Sequence, residues 1–354
     1  MSATSNAELT VIFDFSRWQD AKQWSYISGF ALISKILERE NIVLDEIVLP
    51  FGTDQDLVED YLVSQVTVLY SRIYIWWPHT DLSEISLKHL RAKTSQLFII
   101  VTESLVYTEV EISERPHFAF RISEFVDVVS KSDNVISLCP ATADVLAGQG
   151  FNVVYWSGLI DIDFLPQKDV AREGYLSDGT LYSPERKKIE RHLVKNFSFE
   201  LNREKFSDTR VRVLLHEVLM LISSFIIRVK LPLDTMSALS RRLRSNRKSL
   251  SNGYLNYLSS HRLVLALPSW FKGLTGKMIE CAVTKTPLVV ISNNLHPMTI
   301  QKLNSLGIRV LAEDEFFSLD SFSEETAFYE SKRLVEEIDL NLLLDTFIHR
   351  EDQI

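Results

Sequence analysis

The sequence has little cysteine and lacks the motifs of several large enzyme classes. Its 354 residues contain two cysteines, too few for a disulfide framework or a cysteine-based zinc site, so we expect a reducing compartment. No P-loop, nucleophile elbow or dinucleotide-binding Gly-x-Gly-x-x-Gly is present. The histidines form no His-x-x-x-His pair, and Asp161 and Asp163 are interpreted as part of a turn rather than a metal site. We therefore expect no metal and no cofactor.

The sequence also lacks an excess of positive charge, a secretion signal and a long apolar run. Lys and Arg total 38 against 47 for Asp and Glu, and the net charge of -9 gives no overall attraction to nucleic acid. The first residues include no basic segment followed by an apolar one, and the most apolar run, 218–227, is too short to cross a bilayer. We expect a cytoplasmic protein without a nucleic-acid partner.

Short apolar runs alternate with helix-like segments, which predicts parallel sheets wrapped by helices. Strands are predicted over 9–13, 42–49, 66–76, 97–101, 135–138 and 153–156, and again over 197–201, 263–267, 288–291 and 308–311. Helices are predicted over 27–37, 54–62, 82–90, 121–130, 141–149, 184–195, 211–227, 276–284 and 297–306. The apolar pattern thins out over 161–179, where we expect a linker between two α/β domains.

One strand, loop and helix in the second half form a candidate phosphate site. The strand ending at Leu267 leads into a loop that holds Gly273, Thr275 and Gly276, and a helix is predicted to begin near Lys277. The amide groups of a helix N-terminus and a lysine together favour a phosphate. Glu280, one turn further on, is placed to accept hydrogen bonds from ribose hydroxyls. These residues predict a nucleoside diphosphate site, although similar turns also occur in α/β proteins that bind no phosphate.

The run Gly-Lys-Met-Ile-Glu-Cys-Ala-Val-Thr-Lys-Thr-Pro-Leu-Val-Val, residues 276–290, resembles the donor-site segment of two-Rossmann (GT-B) glycosyltransferases. Residues 134–161 are similar to the end of that family's first domain. The resemblance implies an α/β fold of two Rossmann-like domains with parallel sheets facing across a cleft. It places an acceptor domain at 1–165 and a donor domain at 166–325. A helical tail, 326–354, is a candidate to pack across both.

The resemblance also implies an activity: metal-independent transfer of a sugar from a nucleotide-sugar donor to a hydroxyl of a glycan or lipid-linked glycan, as in polysaccharide biosynthesis. Glu280 takes the place of the glutamate that binds the donor ribose in the family. The rest of the predicted donor site consists of Lys277, Gly276, Thr275, Ser269 and Arg186. Lys272 stands where many retaining members have a second glutamate, and Lys285 replaces a usual small residue, so the stereochemistry stays open.

Three residues that follow first-domain strands are candidates for the catalytic base. Asp14, His79 and Glu103 all lie at or beyond the carboxyl ends of predicted strands, where open α/β sheets bind ligands. Arg17 and Trp18 are candidates for holding the acceptor. The alternative is that Asp14 and His79 cap helices, and the sequence does not choose among these candidates.

A basic block interrupts this acidic chain. It consists of Arg241, Arg242, Arg244, Arg247 and Lys248. The block is a candidate to contact the donor diphosphate, an anionic acceptor or lipid headgroups at the inner face of a membrane, and the alternative is a solvated helix face. Two rival functions also remain: a nucleotide-sugar epimerase of the same architecture, and a non-catalytic binding or scaffold subunit.

Overall fold

The protein is described by a computed structural model, and part of the chain lies outside that description. The described residues are 7–14, 43–50, 55–76, 82–101, 106, 130, 132, 134–140, 141–155, 172–178, 184–197, 199–202, 218, 255–268, 272–275, 277–278, 281, 284, 286–292, 294–305 and 308–320. They form two compact units, one built on each of two sheets. Within this part of the chain, no helix is long and apolar enough to span a membrane.

The first sheet has six parallel strands in the order β2-β1-β3-β4-β5-β6. The strands are β1 (Ala7–Asp14), β2 (Val43–Pro50), β3 (Tyr70–Trp76), β4 (Thr94–Val101), β5 (Asn134–Ser137) and β6 (Val153–Tyr155). The helices described with them are α1 (Gln55–Gln65), α2 (Glu84–Arg91) and α3 (Pro140–Gly148). Helix α2 begins where the Ser83 hydroxyl accepts a 3.0 Å hydrogen bond from the Ser86 amide, which satisfies an amide that the helix leaves unpaired.

Alternate residues of the first sheet pack against α1 and α2. The buried side chains of this core include Leu9, Val11, Ile73, Ile75, Leu97, Val58, Leu62, Leu87 and Leu90. The alternation follows from the two-residue period of a strand, which sends odd and even positions to opposite faces. The opposite face is also buried but carries polar groups, with Glu8 1% exposed and Arg72 7% exposed.

The second sheet has five parallel strands in the order β11-β10-β9-β7-β8. The strands are β7 (Tyr175–Asp178), β8 (Phe199–Asn202), β9 (Leu263–Ala266), β10 (Leu288–Ile291) and β11 (Arg309–Leu311). The helices described with them are α4 (Pro184–Asn196), α5 (Pro297–Ser305) and α6 (Glu313–Phe317). Numbered within its own sheet, this order is 5-4-3-1-2, and the first five strands of the first sheet have the same order read from the other side.

Every residue of β9 and β10 is buried, because hydrophobic clusters cover both faces of the second sheet. Leu265 and Val289 pack with Ile189 and Leu193 of α4. Val264 and Val290 belong to the opposite cluster. Strands that are covered on both faces read as continuous apolar runs, which is how β9 and β10 were predicted from the sequence.

The structure confirms most predicted elements within the described residues and corrects two. Residues 175–178, which the sequence assigns to the linker, form β7 between β9 and β8 in the second sheet. The strand predicted from residue 66 begins at Tyr70, because the Val66 amide continues α1 by bonding to the Leu62 carbonyl. Helix α6 was not predicted. The predicted helices over 27–37, 121–130 and 211–227 lie almost wholly outside the described residues, as do the domain boundary near 165 and the tail.

Candidate functional site

The strand order of the second sheet marks where a ligand is expected. The chain runs from β7 outward to β8 on one side, and from β9 to β10 and β11 on the other. The connections that leave β7 and β9 therefore diverge at the carboxyl ends of two neighbouring strands. Open α/β sheets bind ligands at such a switch point. The candidate donor site predicted from the sequence begins here, since the loop that follows β9 leads to Lys277.

Arg186 joins the two sides of this switch point. It lies in the first turn of α4, the helix that follows β7, and it is 8% exposed. Its Nε donates a hydrogen bond to the carbonyl of Pro268, two residues beyond the end of β9. The bond therefore connects the start of α4 to the start of the loop after β9.

A second set of hydrogen bonds ties the same loop to the next strand connection. The carbonyl of Lys272 accepts a hydrogen bond of 3.0 Å from the His296 amide and one of 3.1 Å from the Thr299 hydroxyl. His296 lies between β10 and α5, and Thr299 is fully buried in α5. The loop after β9 is consequently fixed at Pro268 and again at Lys272.

The helical residues that follow this loop are anchored in the core. Met278 and Cys281 lie about one turn apart, are 3% and 0% exposed, and belong to the same hydrophobic cluster as Leu274. Lys277 is partly exposed at the start of this turn, and Thr275 is partly exposed just before it. The predicted helix start near Lys277 is confirmed, and the packing of its neighbours fixes where the backbone of Lys277 lies.

Buried hydroxyls close the turn between this segment and β10. The Thr286 amide donates a 2.9 Å hydrogen bond to the Cys281 carbonyl, and the Thr284 and Thr286 hydroxyls lie 2.7 Å apart. The Thr286 hydroxyl also donates to the Leu258 carbonyl at 3.3 Å. These contacts hold a tight turn before Pro287 in a sequence that departs from the usual small residue at Lys285.

The two loops that follow β9 and β10 carry basic residues and no acidic ones, whereas Asp178 ends the neighbouring strand β7 and Glu313, Asp314 and Glu315 follow β11. Residues 267–277 and 292–296 contain Lys272, Lys277 and His296 and no aspartate or glutamate, in a chain whose net charge is -9. The contacts described above fix the backbone at Lys272 and beside Lys277, which limits where these two cations reach. The arrangement is suited to a phosphate or diphosphate.

The first sheet has its own switch point, between β1 and β3. Asp14 is the last residue of β1 and Trp76 is the last residue of β3, and these strands are neighbours with Ile12 opposite Trp76. The backbone of Asp14, one of the three candidate bases, thus lies at the switch point. Only its backbone is described, so its role as a base stays a prediction.

Most other predicted site residues lie outside the described part of the chain. They are Arg17, Trp18, His79, Glu103, Ser269, Gly276, Glu280, Arg241, Arg242, Arg244, Arg247 and Lys248. Among the residues that are described, no group of three or more potential metal ligands occurs. The predicted independence from metal stays a prediction.

Sequence reasoning missed three residues of the second-sheet site: Pro268, His296 and Thr299. Pro268 acts through its backbone carbonyl, and His296 acts through its backbone amide. The Thr299 hydroxyl donates to the backbone carbonyl of Lys272. No side-chain motif predicts such contacts. The one available signal was Pro297, which suits the first turn of α5 and places His296 immediately before the helix.

The chain resembles HepE from Anabaena, solved in complex with UDP and glucose, with a TM-score of 0.51 and 11% identity over 98% of this chain and 100% of HepE. This chain has a two-Rossmann, GT-B-type fold. An alpha,alpha-trehalose-phosphate synthase (UDP-forming) from Burkholderia vietnamiensis gives a TM-score of 0.49 and 13% identity over 96% of this chain and 85% of that one. No protein-family model matches the sequence, and no curated protein matches it.

Proposed function

We propose that this GT-B-fold protein is a glycosyltransferase that moves a sugar from a nucleotide-sugar donor to a hydroxyl of a glycan or lipid-linked glycan. The observation that carries the proposal is the switch point of the second sheet, where Arg186 and the Lys272 contacts fix the two ends of a loop segment that leads to Lys277. HepE, which shares this fold, was solved with UDP and glucose, and this supports a nucleotide-sugar donor.

In this proposal, the second unit binds the donor and stabilises its leaving group. Lys277 and the start of its helix neutralise the negative charge that develops on the diphosphate, in place of a metal ion. Glu280 accepts hydrogen bonds from the ribose hydroxyls, and Thr275, Gly276 and Ser269 line the same loop. The net positive charge of these loops supports this role.

The first unit supplies the acceptor side. Asp14, at the end of β1, is the favoured base because its backbone lies at the switch point of its sheet, and Glu103 and His79 are the other candidates. Arg17 and Trp18 hold the acceptor. A lipid-linked acceptor is met at the inner face of the cytoplasmic membrane, where the basic block at residues 241–248 contacts anionic headgroups.

The experiment that tests the proposal incubates the protein with a panel of nucleotide sugars in the presence of EDTA, with and without pooled glycan acceptors. A transferase releases nucleoside diphosphate in step with glycosylated acceptor. Release of free nucleotide or an isomerised sugar without an acceptor indicates the epimerase alternative. Absence of any turnover or binding indicates the scaffold alternative.

Lys277→Met and Lys302→Met form a matched pair for this assay. Lys277 follows the loop that leaves β9, whereas Lys302 lies in the last turn of α5, at the far end of that helix from His296. Both changes remove one positive charge. The proposal predicts that only Lys277→Met weakens donor use.

A further inference from the structure

Arg186 is unlike the basic residues that follow it in the sequence. The run Glu-Arg-Lys-Lys places three cations at the start of α4, and of these only Arg186 is buried, while Lys187 and Lys188 are exposed. Arg186 shares a helical stripe with Ile189, Glu190 and Leu193, all of which are buried. The helix therefore turns this guanidinium inward, toward the sheet.

The inward position gives Arg186 a specific partner. Its Nε donates to the Pro268 carbonyl, which is the point where the chain leaves β9 for the loop that carries the candidate donor residues. The next described anchor of that loop is the Lys272 carbonyl, held by His296 and Thr299. Of these two fixed points, Pro268 lies nearer to β9. The Arg186 side chain reaches it from α4, the helix that follows β7.

We propose that Arg186 is a positioning residue that fixes the loop after β9, so that Lys277 and its helix start are already in place when a diphosphate binds. The proposal rests on the proposed function for the identity of the ligand and on the Pro268 contact for the geometry. In this proposal Arg186 does not bind the phosphate directly, because the Nε of Arg186 is directed to a backbone carbonyl and little of its surface is open to solvent.

Two substitutions separate the hydrogen bond from the charge. Glutamine carries a nitrogen donor attached to Cδ, where arginine has Nε, so Arg186→Gln keeps a donor for Pro268 and loses the charge. Lysine has a methylene at that place, so Arg186→Lys keeps the charge and loses the donor. Lys187→Met is the control, because it removes a charge from the adjacent exposed position.

The first readout is hydrogen exchange of peptides that cover residues 265–278, measured without nucleotide. Loss of one charge-assisted hydrogen bond is expected to accelerate exchange in Arg186→Lys by about tenfold or more, with Arg186→Gln and Lys187→Met close to the wild type. Exchange in β10 and β11, which belong to the same unit as Arg186, reports whether a variant has lost stability outside the loop. Wild-type exchange of the loop in Arg186→Lys would overturn the proposal, whatever the protein binds.

The second readout is affinity for the nucleoside diphosphate that binds best to the wild type. Positioning predicts that Arg186→Lys loses about tenfold in affinity and that Arg186→Gln loses less. The reverse order means that Arg186 acts through its charge on the diphosphate, and this result contradicts the proposal. A wild type that binds no nucleotide contradicts the proposed function, while the exchange measurement still decides the role of Arg186 in the loop.

Discussion

The two sheets share a strand order, yet a buried arginine makes its contacts near the amino-terminal ends of the strands in the first sheet and beyond the carboxyl end of a strand in the second. In the first sheet, Arg72 is the third residue of β3, and its Nη1 lies 3.1 Å from Glu8 Oε1 near the start of β1. In the second sheet, Arg186 reaches the chain just beyond the carboxyl end of β9. The first contact joins two strands inside the sheet, whereas the second joins a helix to a loop at the carboxyl edge of the strands.

The difference in partner indicates a difference in role. Arg72 is bound to a carboxylate and also donates from Nε to Gln96 Oε1 at 3.2 Å, so it links three neighbouring strands through side chains. Its position at the amino-terminal part of the strands is remote from where such sheets bind ligands. Arg186 binds a backbone carbonyl of a loop, and its effect is expected on the shape of that loop rather than on strand pairing.

The largest expected effect comes from breaking the buried pair of the first sheet. Arg72→Met leaves the Glu8 carboxylate buried without its cation and is expected to lower the free energy of unfolding of the first unit by about 3–5 kcal/mol. Urea denaturation measures this change. The matched surface variant Lys88→Met breaks a pair with Glu84 whose side chains are 71% and 60% exposed, and little change is expected. Equal effects in the two variants would remove the distinction between buried and surface pairs.

The next effect concerns turnover at the first sheet's switch point. Asp14→Asn keeps the size of the side chain but removes its basicity, so we expect turnover to fall by about a hundredfold or more with donor affinity unchanged. The measurement is acceptor-dependent release of nucleoside diphosphate, with Glu103→Gln and His79→Gln in parallel. If Asp14→Asn keeps full activity and either Glu103→Gln or His79→Gln does not, the residue changed in the inactive variant is the base.

A smaller effect is expected on donor affinity at the second sheet. If the proposed function holds, Glu280→Ala removes a charge-assisted hydrogen bond to ribose and Lys277→Met removes a cation near the diphosphate, so each is expected to weaken nucleotide binding by about 1–3 kcal/mol. Isothermal calorimetry with a nucleoside diphosphate checks both. Lys302→Met is the control, and a loss of affinity in this variant equal to that of Lys277→Met would show that general charge is responsible.

The smallest effect concerns alkaline stability in the first sheet. Burial, followed by the hydrogen bond to Asp45, raises the pKa of Tyr70 from 10.0 to about 12. The neutral phenol is therefore favoured in the folded state, and this contribution is present below pH 10 and lost as the pH rises toward 12. Unfolding measured across this range should show a steeper loss of stability in the wild type than in Tyr70→Phe. Parallel curves for the two proteins would contradict the assignment.

The fold was largely predictable because buried strands carry a strong signal. Strands β9 and β10 were predicted closely, since every residue is apolar and covered on both faces. Strand β7 was missed because Tyr-Leu-Ser-Asp offers a single aliphatic residue, and its place in the sheet depends on pairing with β8 and β9, which lie far along the chain. Strand pairing over such separations leaves no local pattern.

The predicted site side chains stay a prediction, while the backbone contacts that hold the loop after β9 had no signal in the sequence. Lys277 and Arg186 were selected by charge and by their places near helix starts, and the structure describes both near helix starts, with Arg186 bonded to the Pro268 carbonyl just beyond β9. The sequence pattern could have predicted the burial of Arg186, since residues 186, 189, 190 and 193 share a helical stripe. It could not have predicted the hydrogen bonds to the Pro268 and Lys272 carbonyls, because a backbone acceptor is present at every position.

Thermal unfolding with a panel of nucleotides tests whether the switch point of the second sheet binds a nucleoside diphosphate. The panel comprises uridine, guanosine, adenosine and thymidine diphosphates with cytidine monophosphate, each in EDTA. A ligand at about a hundred times its dissociation constant adds roughly 2.7 kcal/mol to the folded state, which gives a clear shift. We expect the nucleotide of one base to stabilise the wild type. This stabilisation should be lost in Glu280→Ala and Lys277→Met and kept in Lys302→Met. No stabilisation by any nucleotide, or stabilisation that all three variants retain, would contradict this expectation.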